Sequence, residues 1–402
     1  MKINVGLIGL GCRGLALLGS ELLRMEDVCV SAVCDTYEDR VSKAVDLIFT
    51  ETGNRPFASC DYKEVLEQTL DAVIIATAWE HHVDIAVEAM HKGITVGLEV
   101  GGAYTIDQCW ALVRAYEETG THCMMLENCC YGKRELMLLN MVRQGVLGEI
   151  VHCSGGYCHD LREEIANGEE NRHYRLRNYL SRNCENYPTH ELLPIGKILN
   201  INNGNRMIGL TSTASCAKGL HEYCVANKGE NHKLSLSEFK QGDIVNTVIK
   251  CANGETISIQ LDTTLPRSYS RGFTVRGTKG AYFEDNDMIF IDGEHNEFEW
   301  KGRELWGNAA SYEERFLHPL WRDYKASGGH GGMDWLVLRA FFDSVINKER
   351  PPIDVYDTAT YMCISVISEE SINQNSNFIS IPDFTSGRWS QKRDLPSSKY
   401  SL

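Results

Sequence analysis

The stretch Ile3-Asn-Val-Gly-Leu-Ile-Gly-Leu-Gly-Cys-Arg-Gly14 decides the fold. Its first half is a short apolar run, its second half reads GxGxxG, and Leu15, Leu17, Leu18 and Leu22 follow at helical spacing. Strand, glycine turn and helix in that order form the context in which this pattern binds a dinucleotide. Gly9 and Gly11 permit the tight turn and the close approach of backbone to a pyrophosphate, whose charge a helix N-terminus favours, and Gly14 lets helix and strand pack closely. Asp35 follows the next apolar run, Val28 to Cys34, about twenty residues on, where a carboxylate accepts hydrogen bonds from the adenosine ribose and repels a 2'-phosphate. The pattern predicts NAD over NADP, with Arg13 flanking the pyrophosphate. The competing readings are an ordinary tight turn for the glycines, a helix N-cap for Asp35 and a solvated side chain for Arg13.

Working outward, similar apolar runs recur at Ala72 to Ala76, Thr95 to Glu99 and His122 to Glu127, separated by stretches of helical periodicity such as residues 81–92. Such alternation predicts a parallel sheet with helices on both faces, an α/β Rossmann domain over residues 1–148. From about residue 149 the pattern changes to longer alternating strands, Ile150 to His159, Val245 to Cys251, Thr256 to Thr263 and Phe273 to Gly277. These predict an α+β domain over 149–402 with a large, mainly antiparallel open sheet that binds substrate and supports oligomerisation. Residues 160–190 are polar, rich in Arg and Asn, and too long for an idle connection, so they form a candidate binding surface. Two late helices are expected at about 333–347 and 356–374.

A length of 402 residues favours two domains, and 43% hydrophobic with 24% charged residues is the balance of an ordinary globular protein. The formal charge of -15 repels phosphate backbones and anionic headgroups, which argues against nucleic acid and membrane surfaces and for a neutral small molecule. The N-terminus enters a strand at once, without a basic n-region or long apolar h-region, and no apolar run reaches the roughly 18 to 20 residues that span a bilayer. A cytoplasmic protein is the expectation. The fifteen cysteines are scattered and odd in number, often inside apolar strands as at Cys34, Cys123 and Cys251, and read as reduced. Cys129, Cys130, Cys153, Cys158 and His159 include no CxxC pair, so no structural metal is expected.

After the third clear strand comes Thr77-Ala-Trp-Glu-His-His82, and after the fourth Gly97-Leu-Glu-Val100. With the glycine turn and Asp35, this order resembles the Gfo/Idh/MocA superfamily of sugar and inositol dehydrogenases, whose usual turn is Glu-Lys-Pro. Val100 stands where that lysine is expected, which argues against ordinary alcohol oxidation as the net reaction. A resemblance over nearly the whole chain is carried by Leu126-Glu-Asn-Cys-Cys-Tyr131, Asn186-Tyr-Pro-Thr-His190, Pro266-Arg-Ser-Tyr-Ser-Arg271, Gly329-His-Gly-Gly-Met-Asp334 and Pro382-Asp-Phe-Thr385. Together these look like glycoside hydrolase family 109, typified by NAD-dependent alpha-N-acetylgalactosaminidases. The resemblance implies NAD contacts at Arg13, Gly14, Asp35, Trp79, Glu80, His81, His82, Glu99, Val100, Asn128 and Tyr187. It implies sugar contacts at Tyr157, Arg175, Tyr187, Pro188, Thr189, His190 and Tyr269. The chain departs from the family in carrying Gly101 where members commonly have proline after Glu-Val, and the export signal that many of them have is not expected here.

Ordinary glycosidases use two carboxylates, and NAD-dependent families are an exception. The implied route oxidises carbon 3 of the sugar, which acidifies the proton on carbon 2; the aglycone then leaves, water adds, and the hydride returns. Two proton-transfer groups are required, and Tyr187 and His190 are the candidates, three residues apart at a helix start with Pro188 suited to the first turn. By spacing alone the same run reads as a capping segment, in which Asn186 or Thr189 satisfies backbone donors and His190 merely packs; the resemblance tips it towards chemistry. Tyr157 and Tyr269 suit a sugar, apolar in body and polar at the tip, while His159, Asp160 and His330 read as supporting residues. An NAD-dependent sugar dehydrogenase is the alternative function, and a sensor that binds cofactor and sugar without turnover a third. The open face of a large sheet is commonly buried against another subunit, and the superfamily resemblance implies a dimer or tetramer.

Overall fold

The glycine-rich stretch forms strand, turn and helix as its spacing predicts: β1 (Ile3–Ile8) runs through Gly9 to Gly11 into α1 (Cys12–Ser20). The computed structural model describes residues 2–296, 300 and 302–402. The chain continues as β2 (Val28–Cys34), α2 (Glu38–Thr52), β3 (Phe57–Ser59), α3 (Tyr62–Leu66), β4 (Ala72–Ile75), α4 (His82–His91), β5 (Thr95–Leu98), α5 (Ile106–Thr119) and β6 (Cys123–Met125). Next come α6 (Lys133–Arg143), β7 (Ile150–Cys158), α7 (Arg162–Ala166), α8 (Arg175–Ser181), α9 (Thr189–Ile198), β8 (Met207–Ala214) and α10 (Gly219–Lys228). Then follow β9 (Ile244–Cys251), β10 (Thr256–Asp262), β11 (Thr274–Gly277), β12 (Gly280–Phe283) and β13 (Met288–Ile291). The last elements are α11 (Glu313–Phe316), α12 (Pro319–Arg322), α13 (Met333–Asn347), α14 (Val355–Asn373) and β14 (Ile379–Ser380).

Two compact units divide the chain, one made of Met1–Tyr131, Tyr324–Ala359 and Arg393–Leu402, the other of Gly132–Asp323 and Thr360–Lys392. The first holds a six-stranded sheet ordered β3-β2-β1-β4-β5-β6, with every pair parallel. β4 is buried at all four positions, as expected of a strand with both faces covered by helices. The order reverses between β1 and β4, and the crevice outside such a switch is where doubly wound sheets bind ligands. Local chemistry punctuates the helices: Thr105 and Gln108 form a capping box at the start of α5, and Gly120 at φ 71° ends it. The later segments complete this unit. The place a Cβ would take on Gly97 of β5 lies 3.1 Å from Cε1 of Phe341 in α13, and the Met125 N–H donates to the Thr358 hydroxyl at 3.2 Å. Arg339 forms two hydrogen bonds with Asp27, at 2.6 and 2.9 Å.

The second unit holds an eight-stranded sheet ordered β13-β12-β11-β7-β10-β9-β8-β14. All neighbours are antiparallel except β7 and β10, so the sheet is mainly antiparallel. β9 shows why the alternation is legible: Val245, Thr247, Ile249 and Cys251 face inward, while Asn246, Val248 and Lys250 face out. The 160–190 region, irregular in sequence, contains α7 and α8 and leads into α9. No helix among the described residues is long and apolar enough to cross a membrane.

Candidate functional site

In the first unit the turn after β1 depends on its glycines. Gly9 has φ +96°, and a Cβ there would meet the Ala76 carbonyl at 2.5 Å; a Cβ on Gly14 would meet the Gly9 oxygen at 1.9 Å. Glycine is therefore required at both, by backbone conformation at Gly9 and by helix–strand contact at Gly14. α1 opens after Gly11 with no side-chain cap and no acidic residue in its first turn, so its positive end is left for an anion. Asp35 closes the turn from β2: one carboxylate oxygen accepts from the Leu10 N–H at 2.7 Å and the other from the Tyr37 N–H at 3.0 Å. It is not the N-cap of α2, which is Tyr37. Arg40 lies 3.7 Å from the Asp35 carboxylate and 4.7 Å from the centroid of Tyr37. These features fit a dinucleotide.

Further round the same unit, Arg13 is tied down. Its guanidinium donates to Asp334 at 2.7 and 3.0 Å and to Glu99 at 2.9 Å. Asn128 donates its side-chain amide to Asp334 at 2.7 Å, and His330 pairs with Asp334 at 2.8 Å. The network brings Arg13, Glu99 and Asn128 together around Asp334. Burial alone would depress the Arg13 pKa, but Glu99 and Asp334 outweigh it and hold the guanidinium charged. Burial would likewise raise Asp334, and His330 with Arg13 hold it well below the usual carboxylate range. The hydrogen bond to Asp334 raises His330 against its own burial. His330 sits at φ +49° and is followed by Gly331 at φ +64° and Gly332 at φ +94°; the left-handed conformation costs a residue with a Cβ on the order of 1 kcal/mol.

Trp79 is buried and donates its indole N–H to the Val100 carbonyl at 3.1 Å. A Cβ on Gly101 would lie 2.4 Å from this indole, which explains the glycine at that departure from the family pattern. Glu80 accepts from the Tyr104 hydroxyl at 3.4 Å, and His81 is exposed. His82 is buried at the head of α4, where Nε2 donates to the Thr77 carbonyl at 3.1 Å, and burial pushes its pKa down to about 4. Val100 is buried as well.

In the second unit the structure gathers an aromatic cluster. Tyr157, at the end of β7, lies 4.3 Å from Tyr187 and 5.3 Å from His190, centroid to centroid, and Tyr187 lies 4.7 Å from His190 at 88°. All three are at least nine-tenths buried. The run between them works differently from a cap: α9 has no side-chain cap, the Asn186 amide donates to Gln241 at 3.1 Å, and Pro188 and Thr189 are buried. Pro188 immediately precedes the helix, and His190 sits in its first turn. Arg175, at the start of α8, reaches the cluster with its guanidinium carbon 5.0 Å from the Tyr187 centroid and Nε 2.7 Å from Glu164. Tyr269 is half exposed, 6.4 Å from Tyr157, and forms an edge of the cluster.

Two contributors were not singled out for chemistry by the sequence. His159 shares a hydrogen bond of 3.1 Å with the Tyr157 hydroxyl and lies 5.1 Å from Tyr269; burial, with Arg175 nearby, lowers its pKa. Its signal was position, two residues after Tyr157 on an alternating strand. Asp334 gathers the Arg13 network, and its only trace was membership of the Gly329 to Asp334 segment. Glu185 and Glu191, which flank the Tyr187 to His190 run, are both fully buried. Burial pushes the Glu185 carboxyl up to about 8, against one hydrogen bond from the Tyr187 backbone.

Comparison with known proteins agrees with both halves of this picture. A family profile described as glycosyl hydrolase 109, C-terminal domain, matches residues 131–391, and one described as oxidoreductase family, NAD-binding Rossmann fold, matches residues 3–127. A glycosyl hydrolase family 109 protein of Stenotrophomonas maltophilia (strain K279a) is 39% identical, over 98% of this chain and 91% of its own. An alpha-N-acetylgalactosaminidase of Tannerella forsythia is 36% identical, over 96% of this chain and 87% of its own. Among solved structures, levoglucosan dehydrogenase in complex with NADH and levoglucosan superposes with a TM-score of 0.71 at 16% identity, over 95% of this chain and all 100% of that one. Myo-inositol 2-dehydrogenase from Lactobacillus plantarum gives 0.67 at 14% identity, over 95% and 100%. At such identities these two structures speak for the fold alone.

Proposed function

Since this chain belongs to glycoside hydrolase family 109 and carries an NAD-binding Rossmann fold, we propose that it hydrolyses terminal alpha-N-acetylgalactosaminides, or a close hexosaminide, with NAD as an internal redox partner. The observation that carries the reading is the cluster of Tyr157, Tyr187 and His190. It offers stacking surface for a sugar and two adjacent groups able to exchange protons.

A bound nicotinamide supplies a reversible hydride acceptor for carbon 3 of the sugar, which acidifies the carbon 2 proton, opens elimination of the aglycone and permits return of the hydride once water has added. Tyr187 and His190 hold the two proton-transfer positions, at the carbon 3 hydroxyl and at carbon 2. Tyr157, Arg175, Pro188, Thr189 and Tyr269 shape the rest of the sugar site. Gly9, Gly11, Gly14 and the open end of α1 hold the pyrophosphate. Asp35 holds the adenosine ribose and selects NAD over NADP, and Arg13, Trp79, Glu80, His81, His82, Glu99, Val100 and Asn128 complete the dinucleotide site. Fifteen free thiols match a reducing compartment, and the cytoplasm is the one we assign. The open face of the second sheet is the surface we assign to a homo-oligomer, a dimer or tetramer.

The test is incubation with a nitrophenyl alpha-N-acetylgalactosaminide in deuterated water. Deuterium at carbon 2 of the released sugar, with no NADH accumulating in proportion to product, is the expected result. Protium retained at carbon 2 refutes the mechanism, and stoichiometric NADH identifies a sugar dehydrogenase instead.

A further inference from the structure

The aromatic cluster has a charged foundation. Arg271 follows Tyr269 by two residues, Glu191 directly follows His190, and Gly155 precedes Tyr157 by two on the same face of β7. These three neighbours meet. The Arg271 guanidinium pairs with Glu135 of α6, its Nε lies 3.6 Å from Glu191, and its Nη2 lies 3.5 Å from Glu284. The Arg271 side chain is only 11% exposed, Glu135 4% and Glu191 0%. A Cβ on Gly155 would lie 2.0 Å from Cγ of Glu191 and 3.3 Å from the Arg271 carbonyl oxygen, so glycine is what allows helix, strand and loop to close on one point.

A buried group of this kind is a poor source of net stability, because desolvating the charges offsets their attraction; its best-attested use is to fix one register among several. A planar guanidinium is suited to that use, since its donors leave in fixed directions and each carboxylate must come to it. We infer that Arg271 is a positioning residue for the sugar: by ion pairs reaching α6, α9 and the segment after β12, it sets the Tyr269 loop against His190 and Tyr157. The inference deepens the proposed function and rests on its assignment of the ring cluster to a sugar.

The test is a double-mutant cycle on Arg271→Met and Tyr269→Ala, read as the affinity of the NAD-saturated full chain for N-acetylgalactosamine by calorimetry. If Arg271 acts through the loop, Arg271→Met weakens sugar binding about tenfold alone and less than about threefold when Tyr269 is already Ala. NAD affinity stays within about twofold in every variant. Arg271→Lys, which keeps the charge and loses the fork, is the companion variant should the methionine form fail to fold, and an intermediate loss with the same non-additivity is expected. Equal losses in both backgrounds, or no loss, overturn the inference. Because affinity is measured without turnover, a protein that binds the sugar but does not cleave glycosides refutes the glycosidase reading and leaves this one to be decided by the cycle.

Discussion

His82 is a titratable ring held where protonation is unfavourable. Burial lowers its pKa to about 4 in the folded chain, against the ordinary value of 6.5 that the unfolded chain retains. The unfolded state therefore takes up the proton first. Stability is complete above pH 6.5 and falls as pH drops towards 4, by roughly 3 kcal/mol if His82 acts alone. Urea unfolding of wild type and His82→Gln at pH 7.5 and pH 5 checks this: wild type should lose the larger share of its stability on acidification, and parallel losses would remove His82 as the cause. The sequence carried His82 as a cofactor contact from a resemblance, and burial of the ring had no local mark. The glycine turn and Asp35 were legible because strand, turn and acid lie within a few dozen residues. The partnership of Arg13 with Asp334 was not, since 321 positions separate them and only the folded chain brings them together.

At the level of elements, periodicity read well where one face of a strand is buried, as in β9, and for α13 over residues 333–347. It gave no warning of the parallel pairing of β7 with β10, because alternation records which face a residue takes and not which way its neighbour runs. Short helices such as α8, which has no side-chain cap, were hidden within the polar 160–190 stretch for lack of a start signal. The outward face of β9 gives the element-scale prediction. Val248, 47% exposed, lies between Asn246 and Lys250 and opposite Ser258 of β10, on the face assigned to oligomer contact. Val248→Glu should shift the particle mass measured by light scattering to that of the monomer while altering the stability of each chain by less than about 0.5 kcal/mol. An unchanged mass would move the contact elsewhere.

On the scale of the whole molecule, the Rossmann unit is discontinuous: its sheet comes from the first 131 residues, and Tyr324–Ala359 and Arg393–Leu402 complete it. Phe341 and Phe342 are fully buried, and Tyr131 donates its hydroxyl to the Tyr400 carbonyl at 3.0 Å. A fragment of residues 1–148 should therefore bind the dye ANS and melt without a cooperative transition, despite holding the entire glycine turn; a sharp transition in that fragment would show the later segments to be dispensable. Synthesis runs from the N-terminus, so the nucleotide-binding half leaves the ribosome unfinished. It must wait while Gly132–Asp323 is translated, an interval on the order of tens of seconds, before the helix that seals it emerges. The nascent chain thus exposes the seat of Phe341 for most of its birth, and that is where a chaperone has the longest opportunity to hold it.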